Sequence, residues 1–232
     1  MRRIVVATYN VHSCVGCDGK RDPARTLEVL RALDADVIAL QELAWNPDDA
    51  LHLLDDFAQR LGYSAYAGPT LLRPNGHYGN AVLSRLPVAR ANSVDISVSG
   101  REPRGALEVD VQTPSGSVLR VIATHLGLWP GERRQQMLKI LSLLSSEKGP
   151  AVLLGDLNEW FLWGRHLRWL HSHFGRTPGP RSFPSRWPVF PLDRVWVEPV
   201  ALLERVDAWR AAPARMASDH LPVRAVLRDD PR

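Results

Sequence analysis

The feature that most constrains this chain is an alternation of short, densely apolar runs with stretches of helical periodicity, in which many apolar runs end on a polar residue. Ile4 to Thr8 is almost continuously apolar, as in a strand buried on both faces. Asp22-Pro23 then reads as an N-cap with proline at the first helical position, opening a helix through Leu27, Leu30 and Leu33. Val37 to Leu40 is a second buried strand, ending at Gln41-Glu42. Leu51, Leu54, Ala58 and Leu61 predict a helix over Asp48 to Leu61, closed by Gly62. Further strands are expected at Ala81 to Leu83, Ala106 to Val111, Val118 to Thr124, Ala151 to Leu154, Leu192 to Val197 and Val223 to Leu227. Pro114-Ser115-Gly116 is a hairpin turn between two of them. Glu132 to Leu144 predicts a helix with Met137, Leu138, Leu141 and Leu144 inward.

No repeat or low-complexity tract interrupts this pattern, and the stretch from Pro178 to Pro191 keeps aromatics between its prolines, as an ordered loop does. The expectation is a single α/β domain over residues 1–232, with helices covering mixed sheets. A hydrophobic content of 45% supplies the core such a domain needs. No apolar stretch reaches transmembrane length, and the run after Met1-Arg2-Arg3 is too short for a signal-peptide core, so a cytoplasmic location is expected. Cys14 and Cys17 form a CxxC with no second ligand pair at zinc spacing, so they read as two nearby loop thiols, in keeping with a reducing compartment. The net charge of +4 comes almost wholly from arginine, since Lys20, Lys139 and Lys148 are the only lysines. Basic charge favours polyanions but at this size excludes little.

Chemistry-bearing residues gather at strand ends. Asn10 follows the first strand, Glu42 the second, His125 the run Val121-Ile122-Ala123-Thr124, and Asp156 and Asn158 the run ending at Gly155. Asp193 opens a strand and Asp219-His220 immediately precede another. In α/β folds, strand ends along one edge are where ligand sites form. Four carboxylates, two histidines and two asparagines, without a serine elbow, describe hard-metal chemistry: oxygen ligands suit Mg²⁺ or Mn²⁺, while histidine and asparagine hydrogen-bond phosphate oxygens. Taken singly, each has a bland explanation as a turn residue or solvated strand end.

Their joint order carries more. Tyr9-Asn10, Leu40-Gln41-Glu42, Thr124-His125-Leu126, Gly155-Asp156-Leu157-Asn158, Leu192-Asp193 and Ser218-Asp219-His220-Leu221-Pro222 resemble, in succession, the motifs of the endonuclease/exonuclease/phosphatase superfamily. That resemblance implies a DNase-I-like, four-layer α/β sandwich of two mixed β-sheets flanked by helices. It implies metal-dependent hydrolysis of a phosphate ester, with Glu42 as principal metal ligand, helped by Asn10, and Asp219 at a second metal position. Asp156 would orient or deprotonate the attacking water, and Asn158 would hold the phosphate. His220, oriented by Asp193, would stabilise charge at phosphorus or act as base. His125 would contact the phosphate or protonate the leaving oxygen, and Arg104 matches a phosphate-contacting arginine.

Departures narrow the substrate. Abasic-site endonucleases carry Asp or Asn where this chain has His12, lack its Thr124-His125-Leu126, and follow GDxN with small residues rather than Glu159-Trp160. The chain therefore resembles the DNase-I, sphingomyelinase and phosphatase side. From Trp160 to Leu192 there is no acidic residue, while Arg165, Arg168, Arg176, Arg181 and Arg186 are interleaved with aromatics. Such a segment could stack single-stranded nucleic acid or lie against phospholipid headgroups. Trp163, Leu167, Leu170 and Phe174 fall at helical spacing as a core stripe, leaving Trp160, Trp169 and Trp187 for substrate contact. The expected partner is a phosphodiester of nucleic-acid or phospholipid type, with no obligate protein partner evident, and a catalytically silent binding module is the competing class.

Overall fold

A computed structural model of the chain describes residues 2–45, 53–73, 76–146, 149–161 and 164–229. Eleven strands and five α-helices follow one another through these residues. The strands are β1 (Arg3–Asn10), β2 (Val37–Trp45), β3 (Ser64–Arg73), β4 (Gly76–Ser84), β5 (Val88–Asp95), β6 (Gly105–Gln112), β7 (Val118–His125), β8 (Ala151–Asp156), β9 (Asp193–Glu198), β10 (Leu203–Ala208) and β11 (Val223–Arg228). The helices are α1 (Pro23–Leu33), α2 (Leu53–Leu61), α3 (Pro130–Ser146), α4 (Arg165–Phe174) and α5 (Ala214–Ala217). One sheet has the order β10-β11-β1-β2-β4-β3 and the other β5-β6-β7-β8-β9. Each contains one parallel pair, β1 with β2 and β7 with β8, among antiparallel neighbours. These are the two mixed sheets expected.

The period of two along each strand divides the core into three. In β1, Ile4 and Val6 face Val109, Val121 and Val152 of the other sheet, filling the space between the sheets. Ala7 and Tyr9 point the other way and pack with Leu30 and Leu33 of α1, Phe57 of α2 and Ala217 of α5. On the far side, Ile122, Leu153 and Trp196 meet Ile140 of α3 and Leu170 of α4. The layers are thus helices, sheet, sheet, helices. Fully burying each Leu or Ile side chain in them contributes roughly 1.5–3 kcal/mol.

Local signals behave as their chemistry requires. Asp22 caps α1 through Arg25 N at 3.0 Å, with Pro23 at the first helical position. Gly62, at φ +72°, ends α2, and Gly116, at φ +88°, sits in the β6–β7 hairpin. Positions 48–52, including Leu51, and Trp163 lie outside the described residues.

Three strands, β3, β5 and β10, were not expected, and each is a sheet edge. The orientation of α3 also needs correction. Leu138 is 49% exposed and Leu141 only partly buried, whereas Arg133, Gln136, Met137, Ile140 and Leu144 are covered. The inward face of α3 carries Arg133 and Gln136 because it bonds the polar backbone of the loop after β7 (Gly127 N to Gln136 Oε1, 2.8 Å).

Candidate active site

Register brings the candidate residues together. His125 at the end of β7 pairs with Asp156 at the end of β8, which pairs in turn with Asp193 at the start of β9. In the other sheet Asn10 ends β1 opposite Gln41 of β2. The next residue, Glu42, lies in a bulge where the β2–β4 register shifts between Leu40 and Leu43, and its φ is +54°. A bulge re-aims a side chain that a regular strand would send elsewhere. Here it turns Glu42 toward Asn10.

Asp156 is the hub. Its Oδ1 accepts from the Asn158 backbone N–H at 2.8 Å, and its Oδ2 from Asn10 Nδ2 at 3.1 Å. The same Asn10 nitrogen donates to Glu42 Oε1 at 2.9 Å, so one amide bridges two carboxylates. His125 Nε2 and His220 Nε2 lie 3.6 and 3.7 Å from Asp156 Oδ2. Asn158, held at φ +49°, places its side-chain nitrogen 3.0 Å from His125 Nε2 and donates to Leu126 O at 2.8 Å. Ser218 Oγ donates to Asn10 O at 2.7 Å, tying the loop before β11 to the end of β1.

The two histidines are driven apart in charge. Burial on its own would lower the His220 imidazolium, but the Asp193 and Asp156 charges and the 2.8 Å hydrogen bond to Asp193 Oδ2 hold it up at about 10. Burial and the neighbouring Arg104 guanidinium push His125 down to about 3, against the pull of Asp156. Arg104 Nη1 lies 3.1 Å from His125 Nδ1. A guanidinium and an amide nitrogen both only donate, so Arg104 at Nδ1 and Asn158 at Nε2 compete for the single acceptor of the neutral His125 ring.

Asn10, Glu42, Arg104, His125, Asp156, Asn158, Asp193 and His220 therefore form one connected cluster. Asp219 is at its margin, half-exposed, with Oδ1 3.7 Å from His12 Nδ1 and within reach of Ser218 Oγ at 3.3 Å. Trp160, 38% exposed, packs edge-on against Phe183 at 5.5 Å and Phe190 at 5.0 Å between centroids, and Phe183 lies 4.8 Å from the His220 ring. Trp187, 78% exposed, stands on the turn between Phe183 and Phe190. Trp169 is elsewhere: it flanks the outer core of α3 and α4, with the Arg134 guanidinium 6.0 Å from its ring. Both cysteines lie in the connection between β1 and α1, where Cys14 is buried against the core beside α1 and the half-buried Cys17 thiol donates to Ser218 O at 3.3 Å; both thiols are free.

Sequence reasoning missed Tyr78. Its hydroxyl is hydrogen-bonded to the Glu42 carboxylate, and burial, reinforced by that charge, pushes its ionisation far above the ordinary range. Tyr78 lies across from Ala44 past the bulge, a register that no local motif announces.

Known proteins resemble this chain in sequence and fold. A model of the "Endonuclease/Exonuclease/phosphatase family" matches residues 7–220. The Escherichia coli K12 protein YbhP is 31% identical over 246 residues, spanning 96% of this chain and 95% of its own. An endonuclease/exonuclease/phosphatase from Beutenbergia cavernae superposes with a TM-score of 0.79 at 25% identity, covering 98% of this chain and 72% of that one. A mannosyl-6-phosphatase from Bacteroides thetaiotaomicron shares the fold at 16% identity, with a TM-score of 0.72 and coverage of 97% and 100%. The fold, the strand-end cluster and these likenesses agree: the chain belongs to the endonuclease/exonuclease/phosphatase family of phosphate-ester hydrolases.

Proposed function

We propose that the protein is a divalent-metal-dependent phosphodiesterase, working as a single catalytic domain by in-line attack of water at phosphorus. The observation that carries this reading is the Asp156 carboxylate, set among Asn10, His125, Asn158 and the Asp193–His220 pair. Glu42, Asn10 and Asp219 offer hard oxygen ligands of the kind Mg²⁺ or Mn²⁺ takes. The donor set fits, because the carboxylates of Glu42 and Asp156 converge on one neutral amide nitrogen, a repulsion that a cation at Glu42 relieves. Asp156, Asp193 and His220 also have ligand spacing, but a protonated His220 already supplies positive charge there. When bound, the ion polarises a phosphoryl oxygen and offsets the charge that builds on phosphorus.

The residues divide the remaining work by charge state. Asp156 takes the proton of the attacking water. His220 holds its own proton through Asp193, so it stabilises the developing phosphoryl charge in preference to acting as base. His125 is neutral and hydrogen-bonds the substrate; a neutral imidazole is too weak an acid to lead protonation of the leaving oxygen. Arg104 and Asn158 orient the phosphate. Trp160 and Trp187, near exposed Arg181 and Arg186, give bases a stacking surface, which favours a nucleic-acid substrate. A lipid or small-molecule phosphodiester is the second reading, favoured by exposed Leu128, Phe161 and Val189, which offer apolar contact without a need for stacked bases. Free Cys14 and Cys17 suit a cytoplasmic location, and among the described residues no helix is long and apolar enough to cross a membrane.

The test is hydrolysis of plasmid DNA, bis-p-nitrophenyl phosphate and phospholipid vesicles, each with Mg²⁺, Mn²⁺ or EDTA. Cleavage of DNA and the small ester with metal, lost in EDTA and in Glu42→Ala, supports the first reading. Cleavage of vesicles but not DNA moves the reading to lipid, and no metal-dependent cleavage of any of the three returns it to a silent module.

A further inference from the structure

Behind the cluster lies a second set of charges that the chemistry above does not use. Glu159, the residue after Asn158, is almost wholly buried, as are His166 on α4 and Glu132 and Arg133 on α3. Glu159 Oε2 lies 2.5 Å from His166 Nε2 and 3.7 Å from Arg133 Nη2. Its Oε1 accepts from the Phe161 backbone N–H at 2.8 Å, shaping the turn that follows Asn158. Arg133 Nη1 donates to Leu128 O at 2.5 Å, and Gln136, braced by Glu132 at 3.0 Å, accepts from Gly127 N at 2.8 Å, so α3 holds the loop that leaves His125. The circuit closes at the site, where Asn158 meets both Leu126 O and His125.

Two glycines fit this network. A Cβ on Gly164 would meet the Glu159 carboxylate at 2.3 Å, and one on Gly127 the Glu132 carboxylate at 1.9 Å. Removing several charges from water is costly, and stability alone is a poor reason to keep them. Asn158 in a left-handed conformation persists only where its surroundings over-determine it. We propose that Glu159, clamped between His166 on α4 and Arg133 on α3, is a positioning residue that fixes Asn158 and His125 for the hydrolysis read above, on which this inference rests.

The test is Glu159→Gln, which keeps the shape and an oxygen for the Phe161 amide but removes the charge. Two readouts are taken: kcat and KM on bis-p-nitrophenyl phosphate, and the ¹⁵N–¹H NMR signals of the His125 ring and Asn158 side chain in metal-free protein. The expected result is a kcat at least about tenfold lower, a KM within about threefold, and displaced His125 and Asn158 signals. Glu204→Gln, which alters a surface pair with Arg3, should move neither readout. Unmoved signals with kcat within about twofold of the parent, even beside a lower Tm, overturn the proposal, because a merely structural charge would behave that way. If Glu159→Gln does not fold, Arg133→Lys replaces it, with the same displaced signals expected and unmoved ones contradicting. A parent protein that hydrolyses nothing would count against the functional reading while leaving the NMR comparison decisive for the clamp.

Discussion

His125 and His220 lie on either side of one carboxylate, 3.6 and 3.7 Å from Asp156 Oδ2, yet titrate in opposite directions. The difference is in the second neighbour: Nδ1 of His125 meets a guanidinium and Nδ1 of His220 meets a carboxylate. Stability should follow. His125 stays neutral in the fold down to about 3 but takes up a proton near 6.5 once unfolded, so its contribution is full above 6.5 and declines as the pH falls toward 3. His220, raised to about 10, contributes fully below 6.5 and loses its contribution as the pH rises through 10. In urea titrations, His125→Gln should therefore shrink the stability loss between pH 7 and pH 5 by about 2 kcal/mol relative to the parent. An unchanged pH slope would mean that His125 is charged in the fold.

Elements explain what the sequence revealed and what it hid. Strands covered on both faces, such as β1, β7 and β8, must be apolar at nearly every position, and they stand out. The missed β3, β5 and β10 are edges with at least one wetted face: β5 (VARANSVD) is exposed or half-exposed throughout, and β10 (LERVDA) has the charged residues Glu204, Arg205 and Asp207 in place of an apolar run. Glu42, His125, Asp156, Asp193 and His220 were legible because strand ends sit next to the runs that mark strands. Tyr78 and the Glu159–Arg133 clamp were not, since they meet the site through bulge register and helix docking. The close approach of β7 and β8 yields a further prediction. Gly155, at φ +151°, has no room for a side chain, as a Cβ would lie 1.9 Å from Thr124 O. Gly155→Ala should destabilise the protein by about 3 kcal/mol or more in thermal or urea unfolding. A variant within 0.5 kcal/mol of the parent, roughly the scatter of a neutral surface change, would show that the two strands adjust freely.

At the scale of the molecule, the two sheets place the strand ends of the candidate site side by side while aromatic segments gather next to them. Trp160 and Phe183 lead from His220 outward to the turn that bears Trp187. If that turn grips a large substrate, Trp187→Ala should raise KM for DNA about threefold or more and leave turnover of bis-p-nitrophenyl phosphate unchanged, since stacking is worth roughly 1–3 kcal/mol per base. Equal effects on both substrates would place Trp187 in support of the chemistry instead. The central claim is that Asp156 drives the hydrolytic step, and its most direct test is kcat for bis-p-nitrophenyl phosphate with Mg²⁺ in the parent and in Asp156→Asn, with folding checked by circular dichroism. The account predicts a loss of about 10²–10⁴-fold in a folded variant. A folded Asp156→Asn that turns over at the parent's rate would contradict it.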